Sequence, residues 1–202
     1  MGATTCFFMN SMASEAHELA RGLRRRDPDL LDRLVGQYHY RLFRYLTYLT
    51  GRRETAEDLF QETWMRVIER GHQYDPKWQF EAWLFSIARH LVIDLARKKS
   101  PLTAAVDLDE ASDAPLAKQA TETAPLRPAS PIEVLMSREE SARLAAVLGG
   151  LPAAHREVLL LRFQEDMTLE EIAQVTGAPL STVKSRLYRG LEALRERLEG
   201  VK

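Results

Sequence analysis

The sequence has little of what disulfide-bonded or membrane-spanning proteins need. Its 202 residues include a single cysteine, Cys6, so no disulfide can form within the chain, which suits a reducing cytosol. No run of eighteen apolar residues occurs, which excludes a transmembrane helix. The N-terminal "CFFM" is too short for the apolar core of a signal peptide. We therefore expect a cytoplasmic protein without membrane insertion.

Patterns typical of enzymes and metal sites are also missing. The histidines are scattered along the chain, at positions 17, 39, 72, 90 and 155. No Cys/His cluster has metal-ligand spacing, and no GxGxxG or phosphate-binding loop occurs. No nucleophile can be paired with a base. We therefore predict no catalytic residue, no metal and no cofactor.

The near-neutral net charge of −1 hides a segregation of charge. Residues 21–99 hold 16 Lys and Arg against 11 Asp and Glu, whereas residues 100–133 hold 2 against 6. Residues 134–202 are balanced, with 10 against 10. Because local patches set the binding field, the neutral total does not exclude a polyanionic partner.

The middle of the chain differs in composition from both ends. Residues 100–133 are acidic and rich in Ala, carry five of the nine prolines and show no sustained helical or strand period. This composition predicts a flexible linker. It separates a domain over residues 21–99 from a domain over residues 134–202, and we expect a poorly ordered N-terminal extension over residues 1–20.

Both domains are predicted to be helical. In the first, "LLDRLVGQYHYRLFRYLTYLTG", "ETAEDLFQETWMRVIER" and "FEAWLFSIARHLVIDLARKK" place apolar residues at three- and four-residue steps. Gly51, Gly71 and Pro76 are suitable breaks between them. No alternating strand pattern occurs. The fold class is therefore all-α: two small helical domains joined by a flexible linker.

The C-terminal domain contains the signature of a helix-turn-helix. Thr168 and Glu171 form a capping box that opens a short helix, "LEEIAQVT". Gly177 suits the tight turn that follows, and Ser181 is predicted to cap a second, longer helix. Such a second helix enters the major groove of DNA with its N-terminal end first.

The second helix is amphipathic in a way that favours DNA binding. Its apolar stripe is Val183, Leu187, Leu191, Leu194 and Leu198. Its predicted DNA-contacting residues are Ser181, Thr182, Lys184, Ser185, Arg186 and Arg189. Arginine gives two hydrogen bonds to guanine, and Ser, Thr and Lys reach phosphates or base edges. The alternative is a solvated face of an ordinary bundle.

With these motifs the chain resembles the sigma-70 family, specifically its extracytoplasmic-function (ECF) sigma factors. "AEDLFQETWMRV" (56–67) is similar to region 2.2, residues 80–99 to regions 2.3–2.4, and "TLEEIA" and "STVKSRLYRG" to region 4. The resemblance implies binding to core RNA polymerase, through the β′ coiled coil for region 2 and the β flap for region 4. It also implies recognition of promoter −35 and −10 elements, help in opening the duplex, and an anti-sigma factor as a further partner.

The resemblance assigns roles to residues of the first domain. The expected polymerase-binding residues are Asp58, Gln61, Glu62 and Met65, which share one helix face. The expected −10 DNA-binding residues are Tyr74, Lys77, Trp78, Arg89, His90, Arg97, Lys98 and Lys99. Aromatic rings and cations are what single-stranded DNA binding requires. We expect Trp83, one turn into the helix, to be a core residue.

Each of these assignments has a plainer alternative. The polymerase-binding face could be the polar side of an amphipathic helix, and the cations of 97–99 suit a helix C-terminus. His90 stands where the family usually has Asn, which puts the −10 preference of relatives in doubt, and it could also merely pack on the helix surface. For the whole chain, the alternatives are a helix-turn-helix regulator that is not a sigma factor and an adaptor without DNA binding.

Overall fold

The structure, a computed structural model, describes residues 15–99 and 147–199. All regular elements within these two stretches are helical, which confirms the predicted all-α class. The linker predicted over residues 100–133 lies outside the described residues, as do residues 1–14 of the predicted N-terminal extension and the start of the predicted second domain.

The N-terminal bundle consists of four helices. They are α1 (15–25), α2 (Pro28–Thr50), α3 (Arg53–Arg70) and α4 (Phe80–Lys99), with a short 3-10 turn at Gly71–Gln73 between α3 and α4. Helices α2, α3 and α4 contact one another. Their shared core follows from the apolar periodicity of the three segments.

Helix α2 has well-defined ends. The Asp27 carboxylate accepts hydrogen bonds from the backbone N–H groups of Asp29 and Leu30, at 3.1 and 3.3 Å, and so caps the helix. Pro28 follows at the first helical position, where its missing N–H costs nothing. Gly51 ends the helix with a φ of 65°, as its position in the sequence predicts.

Helix α1 corrects one expectation. Residues 15–20 were expected to be poorly ordered, but they form the first part of this helix. The reason is burial: Ala20 and Leu23 are 5% and 2% exposed and belong to the core. A Cβ at Gly71 would lie 2.9 Å from the Leu23 carbonyl oxygen, so glycine lets α1 approach the end of α3.

The C-terminal bundle consists of α5 (Ala153–Phe163), α6 (Leu169–Thr176) and α7 (Leu180–Glu199), preceded by a helical segment over 147–149. The predicted capping box at the start of α6 and the left-handed glycine after it, with φ of 69°, are both confirmed. The helix-turn-helix is α6 and α7.

The predicted cap of α7 is wrong. The helix begins at Leu180, so Ser181 lies in its first turn. The Val183 N–H already bonds to the Pro179 carbonyl at 3.0 Å, which sets the start of the helix before the serine.

The two bundles pack directly against each other. Helix α6 lies along α4, and α5 reaches α2 and α4 through polar side chains. Buried residues of both bundles form one continuous hydrophobic cluster. The helix assigned to −10 recognition is therefore in contact with the helix-turn-helix.

Candidate nucleic-acid and polymerase interfaces

One face of α3 is open to solvent. Asp58, Gln61 and Met65 are exposed, and Met65 retains 54% of its surface. Glu62 is half-buried and accepts a hydrogen bond from Arg66 Nε at 2.8 Å. The structure therefore brings the four predicted polymerase-binding residues together on one accessible surface, one of them engaged in an (i, i+4) ion pair.

Tyr74, a predicted −10 contact, is a core residue. Only 2% of it is exposed, and its hydroxyl donates a hydrogen bond to the Trp78 carbonyl at 2.7 Å. Its ring packs against Phe80 and Trp83, with centroids 5.8 and 5.3 Å away. Burial raises its pKa to about 12, so the hydroxyl remains a donor at neutral pH. The prediction that Tyr74 stacks on a base is corrected: its hydroxyl and ring hold the 74–78 loop in shape.

Trp78 and Lys77 remain candidates for contact with a nucleic acid. Trp78 is 51% exposed, and Lys77 is exposed next to it. The Lys77 N–H donates to the Asp75 carboxylate at 3.0 Å, which fixes the turn that presents both side chains. Trp83 is partly buried against the core, as predicted.

Arg89, another predicted −10 contact, is also buried in this conformation. The residue is 5% exposed, and its Nε donates to Glu157 Oε1 of α5 at 2.9 Å. The Tyr45 hydroxyl donates to the same oxygen at 2.8 Å. Arg89 therefore faces the other bundle instead of solvent, because a carboxylate from α5 satisfies its charge there.

Three of the four remaining −10 candidates on α4 are exposed. Arg97 and Lys98 are exposed, and Lys99 is the last residue of the helix. His90 is exposed, with Nδ1 2.6 Å from the Ser86 carbonyl oxygen. Because a carbonyl only accepts, this contact requires a hydrogen on Nδ1.

A second ionic contact joins the loop after α5 to α2. Glu165 is 4% exposed and accepts from Arg41 Nε at 2.7 Å, while its other carboxylate oxygen pairs with Arg44. Arg41 also donates to the Glu165 backbone carbonyl at 2.8 Å and pairs with Glu81. Burial raises the Glu81 pKa above its usual value, although the Arg41 charge opposes this.

Sequence reasoning missed Glu157 and Glu165. One signal was available for Glu157: it immediately precedes the apolar run "VLLL", all four residues of which are buried. A carboxylate in a helix that is apolar on nearly every side is expected to be buried with a partner. No comparable signal marks Glu165, whose partners lie more than a hundred residues earlier.

The N-terminal half of α7 presents most of the predicted −35 contacts. Ser181, Lys184, Ser185 and Arg189 are exposed, and Thr182 is half-buried. Arg186 is the exception, at 8% exposure. The prediction that it points outward is wrong, because the face of α7 that meets α5 runs through Val183, Arg186 and Gly190.

Gly190 explains why the buried face differs from the predicted stripe. A Cβ at this position would lie 3.1 Å from Leu159 Cδ1 and 3.4 Å from His155 Cβ, so α5 passes very close to it. The contact of α7 with α5 is therefore centred on Gly190, one residue before Leu191 of the predicted apolar stripe. Leu191 and Leu198, predicted to face inward, are 36% and 42% exposed.

Comparison with known proteins assigns the two bundles to two different family models. The model for Sigma-70 region 2 matches residues 34–101, and the model for Sigma-70, region 4 matches residues 147–196. The ECF RNA polymerase sigma factor SigW of Bacillus subtilis is 30% identical over 176 residues, which cover 87% of this chain and 92% of SigW. The chain belongs to the ECF RNA polymerase sigma factors.

Two further proteins are similar to this sigma factor, one in sequence and one in fold. SigE of Mycolicibacterium smegmatis, another ECF sigma factor, is 33% identical over 167 residues, covering 83% of this chain and 61% of SigE. The sigma factor RpoE of Bartonella quintana, solved in complex with the anti-sigma factor NepR, has a TM-score of 0.61 at 22% identity and covers 85% of this chain and 98% of that one. The latter likeness supports the fold.

The region 2 match covers α2 to α4 apart from the first residues of α2, and the region 4 match contains α5 and α6 and nearly all of α7. Helix α1 of this sigma factor lies outside both.

None of the helices in residues 15–99 and 147–199 combines the length and apolar character needed to cross a membrane. In the same ranges, no three His, Cys, Asp or Glu side chains are grouped so as to hold a metal ion.

Proposed function

We propose that this sigma factor binds core RNA polymerase reversibly in the cytoplasm, directs it to −35 and −10 promoter elements and promotes opening of the duplex. The observation that carries the proposal is the exposure of candidate surfaces on both bundles of one chain. The α3 face is accessible on the N-terminal bundle, and the cationic start of α7 is accessible on the C-terminal bundle. The N-terminal bundle corresponds to region 2 and the C-terminal bundle to region 4.

Polymerase binding is assigned to the α3 face and to region 4. Asp58, Gln61, Glu62 and Met65 offer acidic and amide groups around an exposed thioether, a mixture suited to a partner surface with both charge and apolar area. They are proposed to meet the β′ coiled coil, and region 4 to meet the β flap.

The −10 element is assigned to the loop before α4 and to α4 itself. Trp78 supplies an exposed ring for stacking on an unpaired base, and Lys77 supplies a neighbouring cation. Arg97, Lys98 and Lys99 extend the positive charge along the end of α4, where they suit the phosphate backbone. His90 is exposed on the same helix and is a further candidate for DNA contact.

The −35 element is assigned to the N-terminal half of α7. Ser181, Lys184, Ser185 and Arg189 are exposed there, and Thr182 is half-buried beside them. In a helix-turn-helix these positions enter the major groove first. Arg189 replaces Arg186 as the better candidate for direct contact, because Arg186 is buried against α5.

Run-off transcription with purified core polymerase tests this function. The full chain with core should initiate at discrete start sites on native promoter fragments, and neither component alone should do so. Mapping several start sites also defines the −10 and −35 sequences. Absence of initiation on every fragment tried, or initiation without core, contradicts the proposal. We also propose an anti-sigma factor as a partner, which co-purification of the tagged chain from its host would reveal.

A further inference from the structure

The end of helix α1 carries an exposed cluster of arginines. The segment "RGLRRR" (21–26) contains four arginines and no acidic residue, and all four arginines are exposed. The region 2 match begins at residue 34, so the cluster lies before it. We propose that this arginine cluster, Arg21, Arg24, Arg25 and Arg26, binds the phosphates of single-stranded DNA next to the −10 element. The inference rests on the proposed function and extends its −10 surface.

Packing of α1 places the arginine cluster beside the segment that leads to the −10 loop. The Leu23 carbonyl oxygen accepts a hydrogen bond from the Arg26 N–H at 3.1 Å. A Cβ at Gly71 would lie 2.9 Å from the same oxygen, so the end of α1 and the backbone of Gly71 are in direct contact. Gly71 opens the 3-10 turn, and its carbonyl accepts from the Tyr74 N–H at 3.3 Å. The chain then continues to Trp78, so the cluster and the −10 loop lie at the same end of the N-terminal bundle.

Arg26 has a backbone conformation that favours glycine. Its φ is 54°, in the left-handed region, where a side chain is sterically unfavourable and glycine is the usual residue after a helix. The Arg26 side chain is exposed and forms no ion pair with any residue of the ranges 15–99 and 147–199. No internal ion pair therefore offsets the unfavourable φ. Such a position points to a partner of the side chain outside the fold.

The charges within the cluster also oppose one another. Arg21 lies three residues before Arg24 and four before Arg25, so like charges occupy neighbouring positions on one helix face, which destabilises a helix. Arg24 and Arg25 suit the negative end of the α1 dipole, which offsets part of this cost. Arg26 follows the last helical residue, and Arg21 lies a full turn earlier, so the dipole does not explain them equally well. A polyanion bound to the cluster relieves the repulsion among all four.

Phosphate of a single strand is the partner that the cluster fits best. Guanidinium groups form charge-assisted, often bidentate hydrogen bonds with phosphate oxygens. The segment contains no aromatic ring for stacking, so it suits the DNA backbone better than the bases. The next carboxylate in the chain, Asp27, caps α2. An acidic protein surface offers similar chemistry, but the contact with Gly71 beside the −10 loop favours DNA.

Binding of single strands by the complex with core polymerase tests this assignment. The probe is the fluorescein-labelled non-template strand of a promoter with a mapped start site, extended past the −10 element on both sides. Anisotropy is measured at several salt concentrations for wild type and for Arg25→Gln with Arg26→Gly. The slope of log affinity against log salt should become shallower by about 1.4, since each arginine contributes about 0.7 on a single strand. A shortened strand with the −10 element alone should give both proteins the same slope, and an equal loss on it would overturn the proposal.

Two matched variants control for charge and for side-chain type. Arg52→Gln with Arg53→Gln removes two exposed arginines at the opposite end of α3 from Gly71 and should leave the slope unchanged. Arg25→Lys with Arg26→Lys keeps both charges and should retain most of the slope, because counterion release depends on charge. A wild-type slope for Arg25→Gln with Arg26→Gly, or the same loss in the Arg52 and Arg53 control, would overturn the proposal.

Thermal unfolding of Arg26→Gly alone separates binding from folding. Glycine adopts the left-handed φ without a steric cost, so the unfolding midpoint should equal that of wild type or exceed it. The salt slope of the same variant should become shallower by about 0.7. A lower midpoint would show that the Arg26 side chain stabilises the fold, and would contradict its assignment to DNA.

Run-off transcription separates this proposal from the proposed function. If wild type initiates with core but the variant of Arg25 and Arg26 keeps the wild-type slope, the arginine cluster is wrongly assigned and the function stands. If that variant instead loses affinity for core polymerase at an unchanged slope, the cluster binds protein and the DNA assignment is wrong. If wild type never initiates with core, the proposed function is wrong and the assignment of the cluster falls with it.

Discussion

Arg89 and Glu157 form a buried ion pair that joins the two bundles, with Nε and Oε1 2.9 Å apart and side chains 7% and 4% exposed. The Tyr45 hydroxyl donates to the same oxygen. Burial, together with the Glu157 charge, raises the Tyr45 pKa well above its usual value, so this hydroxyl stays a donor over the physiological range. Glu157 is thus the acceptor for two groups of the other bundle.

Replacing Glu157 with Ala should uncouple the bundles. It leaves the Arg89 charge buried without this carboxylate, a change that costs about 3–5 kcal/mol in the docked state. Separation of the bundles relieves that cost by hydrating Arg89. Calorimetry should therefore show one cooperative transition for wild type and two for Glu157→Ala.

Tyr45→Phe is the control for this prediction. It removes one hydrogen bond to Glu157 but keeps the ion pair, so it should cost about 1 kcal/mol and retain a single transition. A Glu157→Ala protein that melts in the same single transition as wild type contradicts the coupling.

Local features of this fold could be predicted from the sequence, and contacts between the bundles could not. The periodicity predicted α2, α3, α4 and α7 but not α1, and the capping box at Thr168 was visible because its partner is three residues away. The partner of Arg89 is 68 residues away, and that of Arg41 is 124 residues away. A helical period identifies an apolar face without saying which helix covers it, so Arg89 was assigned to DNA only.

The assignments of Tyr74 and Arg186 failed for a related reason. An aromatic ring in a loop and an arginine on a helix are compatible with either exposure or burial, and residue type alone favoured exposure. Both side chains are buried by tertiary packing. The Tyr74 ring packs against Phe80 and Trp83, and Gly190 allows α5 to approach α7 closely, one turn after Arg186. Such side-by-side packing depends on tertiary geometry that a single sequence does not display.

Replacing exposed residues of the α3 face should weaken polymerase binding without affecting folding. Asp58→Ala combined with Gln61→Ala changes two exposed side chains, so each is expected to alter stability by no more than about 0.5 kcal/mol. Affinity for core polymerase should fall in a pull-down or anisotropy titration. Arg53→Ala with Glu57→Ala is the control, because it removes an exposed ion pair from the first two turns of α3 without changing any of the four assigned residues, and should leave affinity unchanged. Wild-type affinity in the first variant contradicts the assignment.

Arg189 and Arg186 should behave differently when replaced. Arg189→Ala removes an exposed cation, so it should weaken −35 DNA binding with little change in melting temperature. Arg186→Ala removes a buried side chain from the contact of α7 with α5, and should cost about 1–3 kcal/mol of stability. Thermal unfolding and −35 duplex binding of both variants check this. Equal stability losses would place the two side chains in equivalent environments, contrary to the structure.

His155 should make stability depend on pH. Burial, followed by the charges of Arg189 and Arg186, lowers its pKa below 6.5. Between the folded pKa and 6.5 the unfolded chain therefore binds the proton more readily than the folded chain. The contribution of His155 to the free energy of unfolding is fully present above about pH 6.5 and declines as pH falls through this window. Urea midpoints from pH 5 to 8 should fall less steeply for His155→Gln than for wild type. Parallel profiles would exclude His155 as the cause.

Trp78 and Tyr74 provide the last prediction, because they lie four residues apart in one loop and have opposite exposure. Trp78→Ala should leave folding nearly intact, since half of the side chain is exposed, but should weaken binding to a single-stranded −10 oligonucleotide by about 1–3 kcal/mol through lost stacking. Trp78→Phe should restore part of that affinity. Tyr74→Phe should keep the buried ring and lose the hydrogen bond to the Trp78 carbonyl, at a cost of about 1 kcal/mol in stability. Anisotropy titrations beside thermal unfolding separate the two effects: a Trp78→Ala protein that binds the oligonucleotide as wild type does would remove this ring from the −10 surface.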